Sequence, residues 1–449
     1  MWTVKSEAGR LRAVLVQESI EQFWERKFPF AGIESNTNML VRCPHADIDG
    51  GREQWRQLPR LLKEEGVTVF EVTSILERAL EGATIEERQR MVEAVWAGMP
   101  AAPSPGELTV EHLLWGFPSR PYYDEAEGRV ILPDFQRVGW PYPRDTSFTT
   151  QVGTVICNMR RYSRRFEPKI IKLAYEHDPT LREKMDIVIN ANDYGGAFTE
   201  PPCIEGGDIQ IIDEETIAIG IGQRSTFTGF METARRLFEA DGDGELRYIC
   251  AVKLPGHPAA DYMHLDVVIN YPDNGRALVM PYVFDSDAVA DMPDKKLLLK
   301  TLEALRAQSE AEGRPMDPVV PPDAFREAGA CFVYERNGSS PELSGRYTSL
   351  IDFLVEKGKL KSDGIIYVGG RPEGDMDFEH LMLALMEQSR GATNLVTIKP
   401  GVVIAYERNH ATNDELRAQG IRVKEWEDSY LDMLGGPHCS TSPLQRDAV

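Results

Sequence analysis

The residues best suited to chemistry are a cysteine near the end of the chain and a few acidic and imidazole side chains far from it in sequence. Cys439 follows Gly-Gly-Pro-His at residues 435–438. Glycine and proline favour a tight turn that a substrate can approach closely, and thiolates form covalent intermediates readily. Cys439 is therefore a candidate nucleophile, and a surface turn with an incidental cysteine is the alternative.

Three other segments carry groups that fit the same chemistry. Asp145 lies in a proline-rich turn, and Glu205 begins the sequence Glu-Gly-Gly-Asp ahead of a predicted hairpin. Residues 263–268 are predicted to form a strand, which would place His264 and Asp266 on one face. Taken singly, each has a structural explanation as a turn residue, a loop acid or a hydrogen-bonded core histidine. A His-x-Asp pair can also bind a metal, but no further ligands follow at a suitable spacing, so no metal is predicted.

Together these groups suit a planar cation such as guanidinium. Its paired N–H donors need carboxylates in their plane, and Asp145, Glu205 and Asp266 supply three. A thiolate that attacks the central carbon needs a proton shuttle to release the departing amine, and His264 can serve. A substrate with an α-carboxylate also needs cations at its other end. Two arginines follow the first two acidic segments and can hold that carboxylate: Arg164 and Arg224.

Composition limits the classes of function. The chain has 449 residues, of which 42% are hydrophobic and 27% charged, as in soluble globular proteins. It has no apolar run of membrane-spanning length and no signal-peptide pattern at its start, so a cytoplasmic location is expected. The net charge of −21 argues against nucleic acid as a partner. It is compatible with a small cationic substrate, although acidity also favours solubility by itself.

The cysteines do not form a metal or disulfide pattern. There are six, without any Cys-x-x-Cys pair, so free thiols in a reducing compartment are expected and neither a zinc site nor a disulfide framework is predicted.

Strand and helix patterns alternate along most of the chain. Residues 11–17, 67–72, 401–406 and 421–426 read as strands, with a helix between the members of each pair. The second of these helices is predicted to begin with a capping box at Thr412 and Glu415. The two strand–helix–strand segments resemble each other weakly, and a helix at 354–360 followed by a strand at 364–368 gives a third hint of a repeat.

Residues 74–128 depart from this alternation and are predicted to contain helices only. Thr84 begins a capping box, and Ile85, Met91, Val92 and Val95 are predicted to share one helical face. The segment is predicted to be a helical subdomain inserted into an α/β frame. The stretches 313–323 and 337–344 are expected to be irregular.

Five motifs in a fixed order connect the chain to a known family. They are Ser-Glu-Ala-Gly-Arg-Leu-Arg at 6–12, Arg-Asp at 144–145, Glu-Gly-Gly-Asp at 205–208, His-Leu-Asp at 264–266 and Gly-Gly-Pro-His-Cys at 435–439. Two further segments agree, namely 111–114 in the helical insert and 400–409. In these motifs the chain resembles the arginine deiminases of the guanidine-modifying pentein superfamily.

The resemblance implies an architecture beyond what the repeat hints show. It is a five-bladed pseudosymmetric α/β propeller with the active site in its central channel. Residues 1–73 and 129–449 would form this catalytic propeller, and residues 74–128 the inserted helical subdomain. Association of subunits would be unsurprising for the family.

The resemblance also implies residue roles. Cys439 would be the nucleophile and His264 the general acid and base, assisted by Glu205, while Asp145 and Asp266 would bind the guanidinium nitrogens. The substrate would be a small guanidino cation, free arginine or an analogue, converted to citrulline or another ureido product and ammonia without a cofactor. Other substrate-binding positions by the same resemblance are Arg164 and Arg224, with Tyr142 beside the Arg-Asp motif.

Departures from the family pattern keep other substrates and functions open. Leu434 stands where the family usually has an arginine, Gly139 lies in the segment where an asparagine is expected, and residues 310–345 form a longer stretch than usual. The substrate could therefore be a modified guanidino compound. An amidinotransferase would share the thiol intermediate, and a non-catalytic binding protein could keep the same fold.

Overall fold

The structure is a computed structural model, and it describes residues 1–18, 48–97, 102–115, 122–125, 128–131, 142–161, 164–255, 262–284, 293–313, 327–338, 340–371, 378–427 and 435–449. Statements about the molecule below refer to these residues. Leu434 and Gly139, the two departures from the family pattern, lie outside them, as do residues 314–326 of the long stretch.

Strands are short and numerous in the described chain. They are β1 (Leu11–Val16), β2 (Thr68–Glu71), β3 (Tyr122–Asp124), β4 (Arg129–Ile131), β5 (Ser147–Thr149), β6 (Thr154–Ile156), β7 (Ile187–Asn190), β8 (Ile209–Asp213), β9 (Thr216–Ile221), β10 (Tyr248–Lys253), β11 (Ile269–Asp273), β12 (Arg276–Val279), β13 (Cys331–Asn337), β14 (Ser340–Tyr347), β15 (Ile365–Tyr367), β16 (Val396–Lys399), β17 (Val402–Tyr406), β18 (Arg422–Trp426) and β19 (Ser442–Arg446).

Helices connect many of these strands. They are α1 (Ile48–Glu64), α2 (Val72–Glu81), α3 (Ile85–Trp96), α4 (Val110–Trp115), α5 (Glu167–His177), α6 (Pro179–Lys184), α7 (Phe227–Ala240), α8 (Pro293–Ala311), α9 (Leu350–Glu356), α10 (Phe378–Ser389) and α11 (His410–Ala418).

Five sheets are built on one plan, in which a middle strand pairs antiparallel with one neighbour and parallel with the other. The parallel neighbour is reached through a connection that contains a helix, as parallel pairing requires. In strand order these sheets are β19-β1-β2, β5-β6-β7, β8-β9-β10, β11-β12-β15 and β16-β17-β18. The hairpin β13–β14 extends the third sheet to five strands. The protein is therefore an α/β fold with a repeated unit.

The helix α7 illustrates how sequence fixes one such connection. Thr226 caps its first turn by accepting a hydrogen bond from the backbone N–H of Gly229. Phe230, Leu237 and Phe238 recur at helical spacing and are buried against isoleucines of the third sheet. The apolar stripe thus determines which face of the helix covers the sheet.

Neighbouring units contact one another in sequence. β19 contacts β5, the turn before β5 contacts the turn before β8, and β8 contacts the turn before β11. β11 contacts β16, and β16 in turn contacts β1. The first and last strands pair directly, because β1 and β19 lie side by side in one sheet.

The helices of the 74–128 segment share their core with the rest of the chain. Met91, Val92 and Val95 are buried as predicted, in one cluster with Leu15 of β1 and Ile170 of α5. The capping box that Thr84 begins is also confirmed.

Two predictions for this segment are wrong. Ile85 is 58% exposed, because it is the first residue of the helix and lies away from the buried stripe. The segment does not contain helices only, since β3 pairs with β4 from residue 122 onward.

Three predictions elsewhere are also wrong. The helix α11 begins at His410, and its N-terminal N–H groups at residues 411 and 412 donate to the Glu387 carboxylate instead of to a capping box at Thr412. Residues 337–344 are mostly a paired hairpin rather than irregular. Residues 263–268 are not a strand, because the Leu265 N–H donates to Asp208 and a 3-10 turn forms before β11. The strands predicted at 11–17, 67–72, 364–368, 401–406 and 421–426 are confirmed.

None of the helices in the described ranges has both the length and the apolar character needed to span a membrane.

We expect Gly9→Ala to destabilise the protein by about 1–3 kcal/mol or more. A Cβ atom at Gly9 would overlap the backbone carbonyl oxygen of Asp447, which lies just after β19. Neither backbone can yield without disturbing the pairing of the first and last strands. The measurement is the free energy of unfolding in urea. The matched control is Gly242→Ala, where no atom lies within 4 Å of the new Cβ, and equal unfolding midpoints for the two variants would contradict the expectation.

Candidate active site

The predicted cysteine, histidine and three acidic residues occupy equivalent places in the repeated units. In each unit a short turn leads into the first strand, and each turn carries one or two of the polar groups. Side chains from these turns are buried, with at most 5% of any residue exposed. They are Asp145 before β5, Glu205 before β8, His264 and Asp266 before β11, Asn394 before β16 and Cys439 before β19.

The imidazole of His264 lies between two carboxylates. Its Nε2 is 2.9 Å from Glu205 Oε2, and its Nδ1 is 3.7 Å from Asp145 Oδ1. Glycine is required beside this group, because a Cβ at Gly207 would lie 2.7 Å from both Asp145 Oδ1 and His264 Nδ1. The Glu-Gly-Gly-Asp motif therefore supplies both an acid and the space that the imidazole needs.

The thiol of Cys439 contacts a third carboxylate, that of Asp266. Cys439 Sγ is 3.4 Å from Asp266 Oδ2, and the same oxygen accepts a 2.7 Å hydrogen bond from His438 Nδ1. The Arg144 N–H donates to the Cys439 carbonyl at 3.3 Å, which holds the turn that carries Asp145 against the turn that carries the thiol. The structure thus brings together the cysteine, the histidine and the three acidic groups that were predicted from the sequence.

Two carboxylate oxygens in this group have no hydrogen bond. Asp145 Oδ1 and Asp266 Oδ1 are buried and accept none from the described residues. A buried acceptor without a donor is unfavourable by about 1–3 kcal/mol, so both atoms favour a ligand with N–H donors.

Arginines neutralise part of the acidic charge. Arg164 Nη1 is 2.7 Å from Asp145 Oδ2, and its other nitrogens bind the buried Glu167 carboxylate at 2.7 to 3.0 Å. Arg224 Nη1 is 3.4 Å from Glu205 Oε2. Both predicted carboxylate-binding arginines therefore contact site carboxylates in this structure. Their assignment to a substrate carboxylate remains a prediction.

Tyr142, the remaining predicted binding residue, is half-buried at the edge of the group. Its ring lies so close to Gly435 that a Cβ there would come within 2.5 Å of the ring. It therefore packs on the backbone ahead of Cys439, and a contact with a substrate remains a prediction.

Burial and nearby charges set the protonation states of the imidazole and the thiol. Burial lowers the pKa of His264, but the charges of Asp145 and Asp208 and the hydrogen bond to Glu205 outweigh burial and raise it to about 9. Burial and the charges of Asp266 and Asp145 raise the pKa of the Cys439 thiol well above its usual value. At neutral pH the site therefore holds an imidazolium and an un-ionised thiol.

Three side chains of the site carry atoms that can bind a metal ion. Donor atoms of Asp145, Glu205 and His264 lie within 4.8 Å of one another. Arg164 and Arg224 already pair with the two carboxylates, so a metal ion would have to compete with bound cations. The prediction that no metal is needed stays a prediction.

Sequence reasoning missed several residues that hold the site together. Asn394 Oδ1 accepts from the backbone N–H groups of Gly436 and Cys439 at 2.8 and 3.0 Å. No local pattern marks this asparagine; only its place before the first strand of a repeated unit could have found it. Three others lie in the recognised motifs but were given no predicted role: Glu7, Arg144 and His438. Glu167, which lies three residues after Arg164, was also missed.

The comparison with known proteins agrees with this arrangement. The sequence matches the arginine deiminase family over residues 139–303 and 379–446, more than half of the chain. These two ranges include every predicted site residue. The protein is thus of the class that carries the arginine deiminase family sequence on a repeated α/β scaffold.

Similar curated proteins come from several bacterial groups. Arginine deiminase of Rhodococcus erythropolis strain PR4 is 27% identical, with 99% of this chain and 98% of the relative covered. Arginine deiminase of Metamycoplasma hominis is 24% identical, with 99% and 97% covered. That of Clostridium perfringens strain SM101 is 25% identical, with 99% and 98% covered. The chain belongs to the arginine deiminase family.

A similar solved structure is SxtG, an amidinotransferase of Microseira wollei from the saxitoxin biosynthetic pathway. It superposes with a TM-score of 0.50, is 14% identical, and covers 100% of this chain and 98% of its own. At this identity the similarity concerns the fold alone.

We expect Asn394→Ala to move the titration of the Cys439 thiol to higher pH. The substitution leaves two buried N–H groups without an acceptor, and the hydrogen bond from Asn394 lowers the pKa of the thiol in the intact site. The measurement is the rate of Cys439 alkylation by iodoacetamide against pH. The control is Asn270→Ala, which removes a buried asparagine that bonds to Leu395 and Tyr271 instead. An equal shift in both variants would show that the effect is not local.

Proposed function

We propose that the protein hydrolyses the guanidinium group of free L-arginine, or of a close guanidino relative, to citrulline or the matching ureido product and ammonia. The observation that carries the proposal is the pair of unbonded carboxylate oxygens, Asp145 Oδ1 and Asp266 Oδ1, buried in the same group as Cys439 and His264. The relatives named as arginine deiminases match the chain over nearly its full length, which supports the same substrate class.

The substrate would bind through its planar cation. Asp145 and Asp266 would accept N–H donors of the guanidinium from two directions, which fixes the plane of the group and the position of its central carbon. In the structure Arg164 compensates the charge of Asp145. The arriving cation supplies that compensation itself, so Arg164 and Arg224 can then turn part of their donors toward the substrate carboxylate, with Tyr142 beside them.

The first chemical step forms a thioether bond to the guanidinium carbon. Substrate binding adds a positive charge near the thiol, which favours its ionisation, and the proton of the thiol passes to solvent. The Cys439 thiolate attacks the central carbon to give a neutral tetrahedral adduct. His264, held as imidazolium by Glu205, protonates one amino group. That group leaves as ammonia, and a positively charged S-alkyl thiouronium remains.

The second step returns the enzyme to its starting state. The now neutral His264 takes a proton from water as the water oxygen bonds to the same carbon. The second tetrahedral adduct expels the Cys439 sulfur as a thiolate, the hydroxyl proton of the adduct passes to that thiolate, and a ureido product forms. The sum is one water consumed and one ammonia released for each guanidinium group.

We expect Cys439→Ala to abolish ammonia release from arginine, because no other nucleophile lies at this position. The fold should be kept, since the change removes one buried sulfur and no backbone hydrogen bond. The measurement is ammonia and citrulline against time, with unfolding in urea as the check on the fold. The control is Cys203→Ala, a buried cysteine outside the proposed mechanism; retained turnover in Cys439→Ala would refute the role of the thiol.

We expect activity to fall as pH rises through about 9, because His264 must be protonated to release ammonia and its pKa is raised to about 9. In Glu205→Gln the hydrogen bond to a carboxylate is lost, so the alkaline limb should move down by about one pH unit or more. The measurement is kcat/KM against pH. Glu183→Gln, at an exposed carboxylate, is the control, and an unmoved alkaline limb in Glu205→Gln would contradict the pairing.

One assay separates the proposal from its rivals. An amidinotransferase would pass the amidine from the thiol to an amine, so incubation with arginine and candidate amines would give ornithine without ammonia. A binding protein would raise its melting temperature with arginine and form no product over long incubation. A screen of other guanidino compounds for ammonia release tests whether free arginine is the preferred substrate.

We also propose that the five three-stranded units form a five-bladed propeller with the site at its centre. The successive contacts between units and the pairing of β1 with β19 support such a ring. Residues 1–73 and 129–449 would form the catalytic body, with 74–128 as an insert packed on α5. The five described cysteines are free, which favours a cytoplasmic location.

A further inference from the structure

A second imidazole lies behind the thiol, between two buried carboxylates. His438 Nδ1 is 2.7 Å from Asp266 Oδ2, and His438 Nε2 is 3.5 Å from Glu7 Oε2. All three residues are at most 2% exposed. This row of three side chains, Glu7–His438–Asp266, includes neither His264 nor Cys439, the two groups that exchange protons in the proposed mechanism. It ends on the Asp266 oxygen that contacts Cys439 Sγ.

Two buried arginines hold Glu7, at the far end of this row of side chains, in place. Arg144 Nη1 is 3.3 Å from Glu7 Oε1. Arg446 Nη1 donates to the backbone carbonyls of Glu7 and Gly9 at 2.9 Å each. Although burial raises the pKa of Glu7, these cations and His438 hold it well below its usual value, so Glu7 is ionised. The row of three side chains therefore ends on the fixed negative charge of Glu7.

We propose that His438 is a positioning residue that orients Asp266 for substrate binding, and that Glu7 orients His438. This inference rests on the proposed function. The hydrogen bond from Nδ1 fixes Oδ2 of Asp266 toward the imidazole and the thiol. Oδ1 is then the oxygen left without a donor, available to the guanidinium.

The ring geometry explains why a histidine suits this position. Its two nitrogens lie on opposite edges of a rigid ring, so Nδ1 can donate a hydrogen bond to Asp266 while Nε2 faces Glu7 at ion-pair distance. Without the Nδ1 donor, the Asp266 carboxylate can rotate about its terminal bond, and neither oxygen is held toward the substrate. The donor also takes up part of the negative charge beside Cys439 Sγ.

Three substitutions at one position separate the two contacts. In His438→Asn the amide nitrogen lies near the place of Nδ1 and can donate to Asp266. In His438→Gln the longer amide reaches the place of Nε2 and faces Glu7 instead. His438→Leu is similar in size and removes both contacts. Glu183→Gln, at an exposed carboxylate, serves as the control for surface effects.

The first readout is steady-state kinetics with arginine. We expect His438→Leu to lose about 100-fold in kcat/KM, with KM raised, because a small displacement of a binding carboxylate has an effect of that order. His438→Asn should stay within about 10-fold of the unmodified protein, and His438→Gln should resemble His438→Leu. Glu7→Gln should raise KM less than His438→Leu does.

The second readout is the pH dependence of Cys439 alkylation by iodoacetamide, located by peptide mass. We expect the midpoint to move to higher pH in His438→Leu and to stay near its original value in His438→Asn. Asp266 remains ionised in the range where the thiol titrates, because other cations still face it. The charged and titratable groups that face the thiol or Asp266 are Asp145, Tyr142, His264 and Arg144.

The outcomes decide the proposal. Equal kinetics and equal thiol midpoints in His438→Leu and the unmodified protein would overturn it, and so would His438→Gln performing as well as His438→Asn. If His438→Leu does not fold, the Asn and Gln pair decides alone. If the unmodified protein releases no ammonia from arginine, the proposed function fails. The alkylation profile still tests the positioning role, because it needs no substrate.

Discussion

The site depends on carboxylates that folding has removed from water without giving them enough donors. Asp145, Glu205 and Asp266 lie in one buried group, and the cations nearest to them compensate the charge only in part. Two of their oxygens stay without a hydrogen bond. Burying a charge is costly unless it is paired. In the proposed function, a flat cation with several N–H donors supplies hydrogen bonds to both oxygens.

The same charges set the protonation states of the thiol and the imidazole. Burial and negative neighbours raise the pKa of Cys439, while the negative neighbours keep His264 protonated. The thiol is therefore un-ionised beside these carboxylates, and the imidazole that would release ammonia in the proposed function is already charged. In the proposed function, arrival of the substrate changes the electrostatics of the thiol more than that of the imidazole, and reactivity is coupled to occupancy.

The sequence predicted which residues form the site better than it predicted the secondary structure and contacts around them. Cys439, Glu205 and Asp145 were recognised because turn residues surround them, and turn chemistry is local. His264 and Asp266 were recognised too, but on a strand that does not exist, since the Asp208 carboxylate captures the Leu265 N–H. Asn394 could not be recognised, because its importance comes from two N–H groups more than 40 positions away. The capping of α11 by Glu387 was missed for the same reason.

The repeat explains why distant segments meet. In each unit the turn before the first strand carries one or two of the buried polar side chains of the site. One structural position, used five times, therefore supplies Asp145, Glu205, His264, Asp266, Asn394 and Cys439. The strands at 11–17 and 401–406 could be predicted from alternation alone. The number of units could not be read from the sequence, because β13 and β14 lie in the connection of one unit and pair with the sheet of another.

The pairing of β1 with β19 has a consequence for biosynthesis. Arg446 reaches the carbonyl of Glu7, and Cys439 lies on the turn that leads into β19. A ribosome-bound chain that has not yet released this last strand has an open first sheet and no sulfur in the acidic group. The four other turns can assemble earlier, but the sulfur joins the acidic group only after residues 435–446 have left the exit tunnel and β19 has paired with β1.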